Sequence, residues 1–257
     1  MTSAAPTLEI DVSVTSRLAG VLTLGLEGRG PSVAFVFDPH RLALPCWGLA
    51  AGEAGPALLI TLDRHFDLVP PKVATPKGLG VLELDAHARR SLDVRNYDHV
   101  LAALDGGVIS HVIAIARTSP VGSFEGSVWG DSHQLVRAKT VDALSYEFGS
   151  ERASPASRQA HELISAASRI VLDVDLDCFT SSSDADPTTV LPWPQQVIRE
   201  HLMPRGSEAF WSAILPKCVA LTIAREPNHC GGLIAGATLF EDAATVLFKE
   251  LLHADLP

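Results

Sequence analysis

A three-layer α/β/α domain on a mainly parallel sheet is the fold class this sequence predicts, and three observations carry the prediction. Short, nearly continuous apolar runs rich in β-branched residues recur along the chain. Parallel strands covered on both faces read this way. Segments of helical pattern lie between them, the alternation expected of βα units. Clusters of Asp and His follow several of the runs directly, and open α/β sheets form their sites at the carboxyl ends of strands.

Taken in order, the first thirty residues (LEIDVSV, then VLTLGLEG) predict an antiparallel hairpin at a sheet edge. Val33 to Phe37 (VAFVF) is a strand leading into Asp38-Pro39-His40. His40 to Ala51 can form a helix, which Pro45 would interrupt. Ala57 to Leu62 (ALLITL) leads into Asp63-Arg64-His65-Phe66-Asp67. Tyr97 to Leu104 reads as a helix stopped by Gly106-Gly107. Val108 to Ala116 is a further apolar run. Ser154 opens a helix with Pro155 at its first position, running to about Ala167. Ile170 to Leu172 begins the run IVLDVDLD, and the Ser181 to Pro194 segment beside it is a surface loop. Val219 to Ala224 precedes Arg225-Glu226-Pro227, and Leu233 to His253 forms a closing helix.

At 257 residues and 47% hydrophobic, the chain suits one domain over 1–257 with a large core. No apolar stretch reaches the ~18 residues of a membrane span, and the first residues lack the pattern of a secretion signal. Cys46, Cys178, Cys218 and Cys230 are scattered, without a CxxC pair. They read as buried free thiols in a reducing compartment, so the expected location is cytoplasmic. The net charge of −10 disfavours nucleic acid and favours cationic substrates. No GxSxG or phosphate-loop spacing is present. Oligomeric state is open, and a homo-oligomer is compatible with the sequence.

The chemistry concentrates in two motifs. In Asp63-x-His65-x-Asp67, alternate residues of an extended segment point the same way, so two carboxylates and an imidazole converge. This set suits Mn²⁺, Fe²⁺ or Zn²⁺. In Asp173-x-Asp175-x-Asp177, three carboxylates end an apolar strand. Burying them without a cation would be costly. His40, after a third strand, is a further candidate ligand. Ligands from three strands, rich in carboxylate, point to two ions, a centre that can activate water as a nucleophile.

The order His40, DRHFD, DVDLD resembles the arginase/ureohydrolase fold, which includes the histone deacetylases. The phrases FDPHRLALPCW, TLDRHFDL, NYDHVLAAL, SHVIAIA, VLDVDLDCF and TIAREP…CGG, over roughly residues 33 to 235, resemble an arginase-like family that includes peptide arginases. Those enzymes convert arginine in a ribosomal precursor peptide to ornithine and release urea. The chain departs from the ureohydrolases in two places. Asp38-Pro39-His40 replaces their GGDHS segment, and the segment that grips a free amino acid's carboxylate is not recognisable.

The resemblance implies two Mn²⁺ ions, held among His40, Asp63, His65, Asp67 and the DVDLD triplet. A ureohydrolase-type alignment makes Asp173 and Asp175 the ligands. A deacetylase-type alignment makes them Asp175 and Asp177, with Asp173 in support, and is slightly preferred. Glu226 stands where ureohydrolases hold the guanidinium, for which a bidentate contact is expected. Asp67 is expected to accept a proton from the attacking water, and His99 to protonate the leaving amine. Asn96 and His133, the latter in WGDSH with Asp131, are further candidates for contact with substrate. His111 reads as a packing residue. The function implied is a Mn²⁺-dependent peptide arginase acting on an arginine-containing precursor peptide. The alternatives are an agmatinase-like or deacetylase-like C–N hydrolase, or a non-catalytic metal-containing protein that binds a peptide.

Overall fold

The structure is a computed structural model and describes residues 12–28, 30–182 and 189–253. Its strands are β1 (Leu22–Gly25), β2 (Val33–Phe37), β3 (Ala57–Leu62), β4 (Ile109–Ile115), β5 (Val128–Trp129), β6 (His133–Ala138), β7 (Ile170–Asp175), β8 (Thr180–Ser182), β9 (Val190–Pro192) and β10 (Cys218–Ala224). Its α-helices are α1 (Val12–Thr15), α2 (Ala43–Ala51), α3 (Val81–Arg90), α4 (His99–Asp105), α5 (Val141–Ser145), α6 (Pro155–Ala166), α7 (Gln195–Leu202), α8 (Glu208–Ile214) and α9 (Leu233–Ala244).

One sheet carries the strand order β1-β2-β10-β7-β3-β4-β6-β5. The strands from β2 to β6 in that order run parallel, and antiparallel β1 and β5 close the two edges. Every residue of β2, β3, β7 and β10 is buried, which explains their unbroken apolar runs. Alternate residues feed separate cores. Phe35, Leu59, Val171 and Ala220 pack beneath α2, α3 and α4 with Trp47, Leu84 and Leu101. Val36, Ile60, Leu172 and Leu221 pack beneath the helices from α5 to α9 with Leu163, Phe210, Trp211 and Leu239. The three predicted layers are these two helical layers and the sheet.

From β3 the chain builds outward through β4 and β6; after β6 it returns to the other flank of β3 as β7, then β10. The β3–β7 border is thus where the winding reverses, and loops diverge there to leave a crevice at the carboxyl ends. Asp63 follows β3 and Asp175 ends β7 at that border.

Several expectations need correction. In the first predicted strand, Val12–Thr15 is helical, and residues 8–11 lie outside the described residues. The edge hairpin is formed instead by β1 and β2, closed by Leu26 N–H donating to Ser32 O. Pro45 does not interrupt its helix. It is the third residue of α2, in the first turn, where backbone N–H groups have no intrahelical partner. The loop after DVDLD contains a short antiparallel pair, β8 with β9. The closing helix runs as α9 to Ala244 and widens into a π-helical segment over Thr245–Leu251. Ser154 caps α6 as predicted, accepting from Ser157 N–H. All four cysteines are buried and free. Among the described residues no helix is long and apolar enough to cross a membrane.

Candidate metal centre

Register builds the floor of the site. Asp173 on β7 is paired with Thr61 on β3 and with Thr222 on β10. All three side chains emerge on the α2/α4 side of the sheet. Thr61 Oγ1 donates to Asp173 Oδ2 at 2.8 Å, and Thr222 Oγ1 donates to Oδ1 at 2.5 Å. Trp47 Nε1 of α2 donates in turn to Thr222 Oγ1. His40, in a 3₁₀ turn just after β2, completes the set with Nε2 2.9 Å from Asp173 Oδ2. Asp173 is therefore fully engaged from behind.

The other face of the His40 ring meets the acidic cluster. Nδ1 lies 3.0 Å from Asp175 Oδ2, 3.6 Å from Asp63 Oδ2 and 3.7 Å from Asp67 Oδ2. Neither His40 Nδ1 nor Asp63 Oδ2 has a hydrogen-bond partner, although both are buried. Beside them His65 Nδ1 lies 3.3 Å from Asp177 Oδ2 and 3.9 Å from Asp63 Oδ1. Two sets sharing Asp63 have ligand atoms close enough to hold a cation: His40, Asp63 and Asp175, and Asp63, His65 and Asp177. A third, His40, Asp67 and His99, adjoins the first.

Local backbone brings these groups together. Strand alternation places Asp173 and Asp175 on one face. Asp177 is beyond the strand, in a 3₁₀ turn where its own N–H donates to Asp175 Oδ1 as the cap. DRHFD leaves β3 through a bend at Arg64 and a bridge from His65 to Thr118, then turns at Asp67, whose φ is +49°. Of the four non-glycine residues with positive φ among the described residues, Asp67, Asn96 (+61°) and Glu226 (+35°) are at this site. Such strain persists only where the surroundings impose it.

Electrostatics single out the cluster. Burial, reinforced by neighbouring carboxylates, holds Asp63 and Asp175 well above the usual carboxylate range. Burial raises Asp67 in the same way, against the opposing pull of His40. Burial acts against the His40 imidazolium, yet Asp173 and Asp175 outweigh it and raise His40 well above an ordinary histidine. Asp177 is lowered despite its burial, because His65 and the Arg64 N–H bond its charged form. Buried carboxylates in this number repel one another, and a cation relieves both their repulsion and their desolvation. The carboxylate and imidazole donors, with their unpartnered atoms, fit a divalent metal.

A cleft of about 420 Å³ opens onto the cluster, lined by His65, Asp67, Asp175, Asp177, Glu226 and His229 among others. Glu226 follows β10. Its Oε1 accepts from His40 N–H at 2.9 Å and, at very short range, from Asn96 Nδ2. Oε2 faces His229 Nε2 across 3.8 Å. A single oxygen is thus left toward the cleft, not the bidentate pair expected. Asn96 receives Arg41 Nη1 on Oδ1 at 2.7 Å. Both ends of its amide are occupied, so it braces Glu226 and does not line the main cleft. Arg95 at the rim is held by both oxygens of Asp93.

Two sequence candidates do not line the cleft. His99 is fully buried, packed against His40 with the rings tilted and their centroids 4.2 Å apart, and with Nδ1 2.8 Å from Asn96 O. Burial, then His40, lowers its pKa well below that of an ordinary histidine, and it does not reach the cleft. His133 opens β6, at the amino ends of the parallel strands, and its Nδ1 lies 2.7 Å from Ser110 O. The reversed end of the sheet keeps it, and neighbouring Asp131, away from the site. His111 packs in β4, accepting from Gln134 N–H. Sequence reasoning missed His229, Arg41 and the two threonines. Asn228-His229 directly after Glu226-Pro227 was the one available signal for His229.

No protein-family model matches the chain, and no curated protein does. Solved structures similar to it include proclavaminate amidino hydrolase from Streptomyces clavuligerus, at 15% identity and a TM-score of 0.44 over 85% of this chain. Another is the agmatine ureohydrolase of Thermoplasma volcanium, at 14% identity and a TM-score of 0.39 over 84%. The chain spans 63% of the length of each of these structures.

Proposed function

We propose that the protein is a two-metal hydrolase that cleaves the guanidino group of arginine within a peptide, leaving ornithine and releasing urea. One observation carries the reading: a buried cluster in which His40 Nδ1 and Asp63 Oδ2 have no partner, opening onto a cleft with one free oxygen of Glu226. His40, Asp63, Asp67 and Asp175 would hold one ion; Asp63, His65 and Asp177 would hold the other. The carboxylate-rich donors suit Mn²⁺. Asp173, saturated by Thr61, Thr222 and His40, acts as the support that orients His40. This arrangement corresponds to the deacetylase-type alignment of DVDLD.

When bound, the two ions supply an activated water and positive charge opposite the developing tetrahedral centre. The chain's own groups do the rest. Glu226 Oε2 holds the guanidinium, and His40 N–H and Asn96 fix that carboxylate in place. Asp67, facing the cleft, takes the proton that the attacking water gives up. The acidic cleft draws in a cation. Arg95, the cation at its rim, is already neutralised by Asp93. A free amino acid's carboxylate is left with uncharged groups such as Thr118 and Ser119, whereas a peptide has no such group to place.

The test is mass spectrometry of arginine-containing peptides incubated with the Mn²⁺-loaded protein. Each modified arginine should lose the mass that separates it from ornithine, with urea released in equal amount. Release of acetate from acetyl-lysine peptides, with no urea from any guanidino substrate, would favour a deacetylase instead. Free arginine or agmatine turned over as well as any peptide would restore the ordinary ureohydrolase reading.

A further inference from the structure

We infer that His229 is the residue that gives a proton to the nitrogen leaving the guanidino carbon, an inference that rests on the hydrolytic reading above. Breaking the bond from the guanidino carbon to the side-chain nitrogen leaves an electron pair on that nitrogen. A proton must meet it as urea departs. Of the histidines, His99 is sealed beneath His40, and His65 is turned to Asp177 and Asp63. His229 lines the same cleft as Asp67, Asp175 and Glu226, and its side chain is 55% exposed. It therefore faces the cleft where the substrate is placed and is open to bulk water, from which it can be reprotonated. Tyr97 also lines the cleft, but its hydroxyl donates to Asp93 Oδ2 at 3.2 Å. Imidazole exchanges protons near neutral pH, as a phenol does not.

The turn fixes the backbone that carries this side chain. His229 N–H and Cys230 N–H both donate to Glu226 O, and Gly232 N–H donates to Pro227 O at 2.7 Å. Cys230 is fully buried and anchors the turn. Gly231 and Gly232 close it at φ of +84° and +96°. From that turn His229 Nε2 lies 3.8 Å from Glu226 Oε2, the oxygen assigned to the guanidinium. The side-chain nitrogen of a guanidinium held on Oε2 lies within reach of the imidazole. The step balances. The carbon–nitrogen bond breaks, and His229 transfers one proton to the nitrogen and is reprotonated by solvent. Of the attacking water's two protons, one leaves through Asp67 on attack; the other leaves the hydroxyl to solvent as the urea carbonyl forms, and the released amine takes up one from solvent.

His229→Gln is the test, on the intact Mn²⁺-loaded protein and with whichever guanidino substrate the wild type turns over. Turnover should fall about 100-fold or more, a general acid's share, while KM and metal content stay near wild type. Imidazole added to His229→Gln should restore part of the rate. An independent readout is the ¹⁵N imidazole resonance of His229 in the diamagnetic metal-free protein, which should shift when N-acetyl-arginine amide is added. His229→Gln turning over at the wild-type rate, or a resonance indifferent to the ligand, overturns the assignment and leaves the hydrolytic reading intact. A wild type that releases urea from no guanidino substrate overturns both.

Discussion

His40 Nε2 sits 2.9 Å from Asp173 Oδ2, and that contact turns Nδ1 of the same ring toward Asp63, Asp67 and Asp175. A carboxylate behind an imidazole fixes its orientation and raises its basicity, and losing it typically weakens metal binding ~10–100-fold. Asp173→Asn should therefore still bind metal, with affinity reduced by about that factor. Asp175→Asn should lose both metal and turnover. Metal analysis of the purified variants decides between them. A metal-free Asp173→Asn beside a metal-replete Asp177→Asn would reverse the pairing.

Asp63 belongs to two of the three candidate ligand sets, and His65 to one. Wild-type protein purified with Mn²⁺ should carry about two ions per chain. Asp63→Ala should carry none. His65→Ala, whose side chain is 37% exposed in the wild type, should keep the ion nearer His40. Full activity with a single ion in the wild type would rule out a two-ion centre.

The pH dependence of the metal-free protein follows from the same cluster. Asp63, Asp67 and Asp175 have raised folded-state pKa values, so they bind protons more tightly folded than unfolded. They weaken the fold as pH rises from the unfolded value of about 4 through their folded values. His40, also raised, contributes stability below about pH 6.5 that is lost as pH rises through its folded pKa. Asp177 is lowered and acts in the opposite sense, losing its contribution only in acid below about pH 4. Metal-free Tm should fall from about pH 5 to about pH 8, and saturating Mn²⁺ should remove most of that slope. A metal-free protein more stable at the upper end would contradict this account of the cluster.

Glu226→Gln keeps an oxygen for His40 N–H and Asn96 but removes the charge facing the cleft. Breaking a buried ion pair costs on the order of 3–5 kcal/mol. Steady-state kinetics should show a large loss of kcat/KM for arginine peptides, with metal content preserved. Unchanged kcat/KM would remove Glu226 from substrate binding.

Thr222→Val tests the floor of the site. The change leaves Asp173 Oδ1 and Trp47 Nε1 without their shared hydroxyl in a fully buried setting. An unsatisfied buried polar group costs about 1–3 kcal/mol. Thermal unfolding should register a loss of that order, with a smaller loss of metal affinity than in Asp175→Asn.

The chain's own pattern determined the layers and the end of the sheet that carries chemistry. A strand buried on both faces must be apolar almost throughout, so VAFVF, ALLITL and VALTIA announce themselves, and Asp and His gather where the strands run out, Asp173 alone of the cluster lying in a strand's interior. His40, Asp63, His65, Asp67, Asp175 and Asp177 were legible for that reason. Tertiary structure alone decided which carboxylate of DVDLD stands behind the others. Asp173, Asp175 and Asp177 share one spacing, and only the registers β3–β7 and β7–β10 set Thr61 and Thr222 beside Asp173. The same holds for the histidines. His99, His133 and His229 are equal as letters, but one is sealed under a ring, one sits at the wrong end of a strand, and one faces the cleft. Burial and strand polarity are properties of the assembled sheet, and local sequence does not encode them.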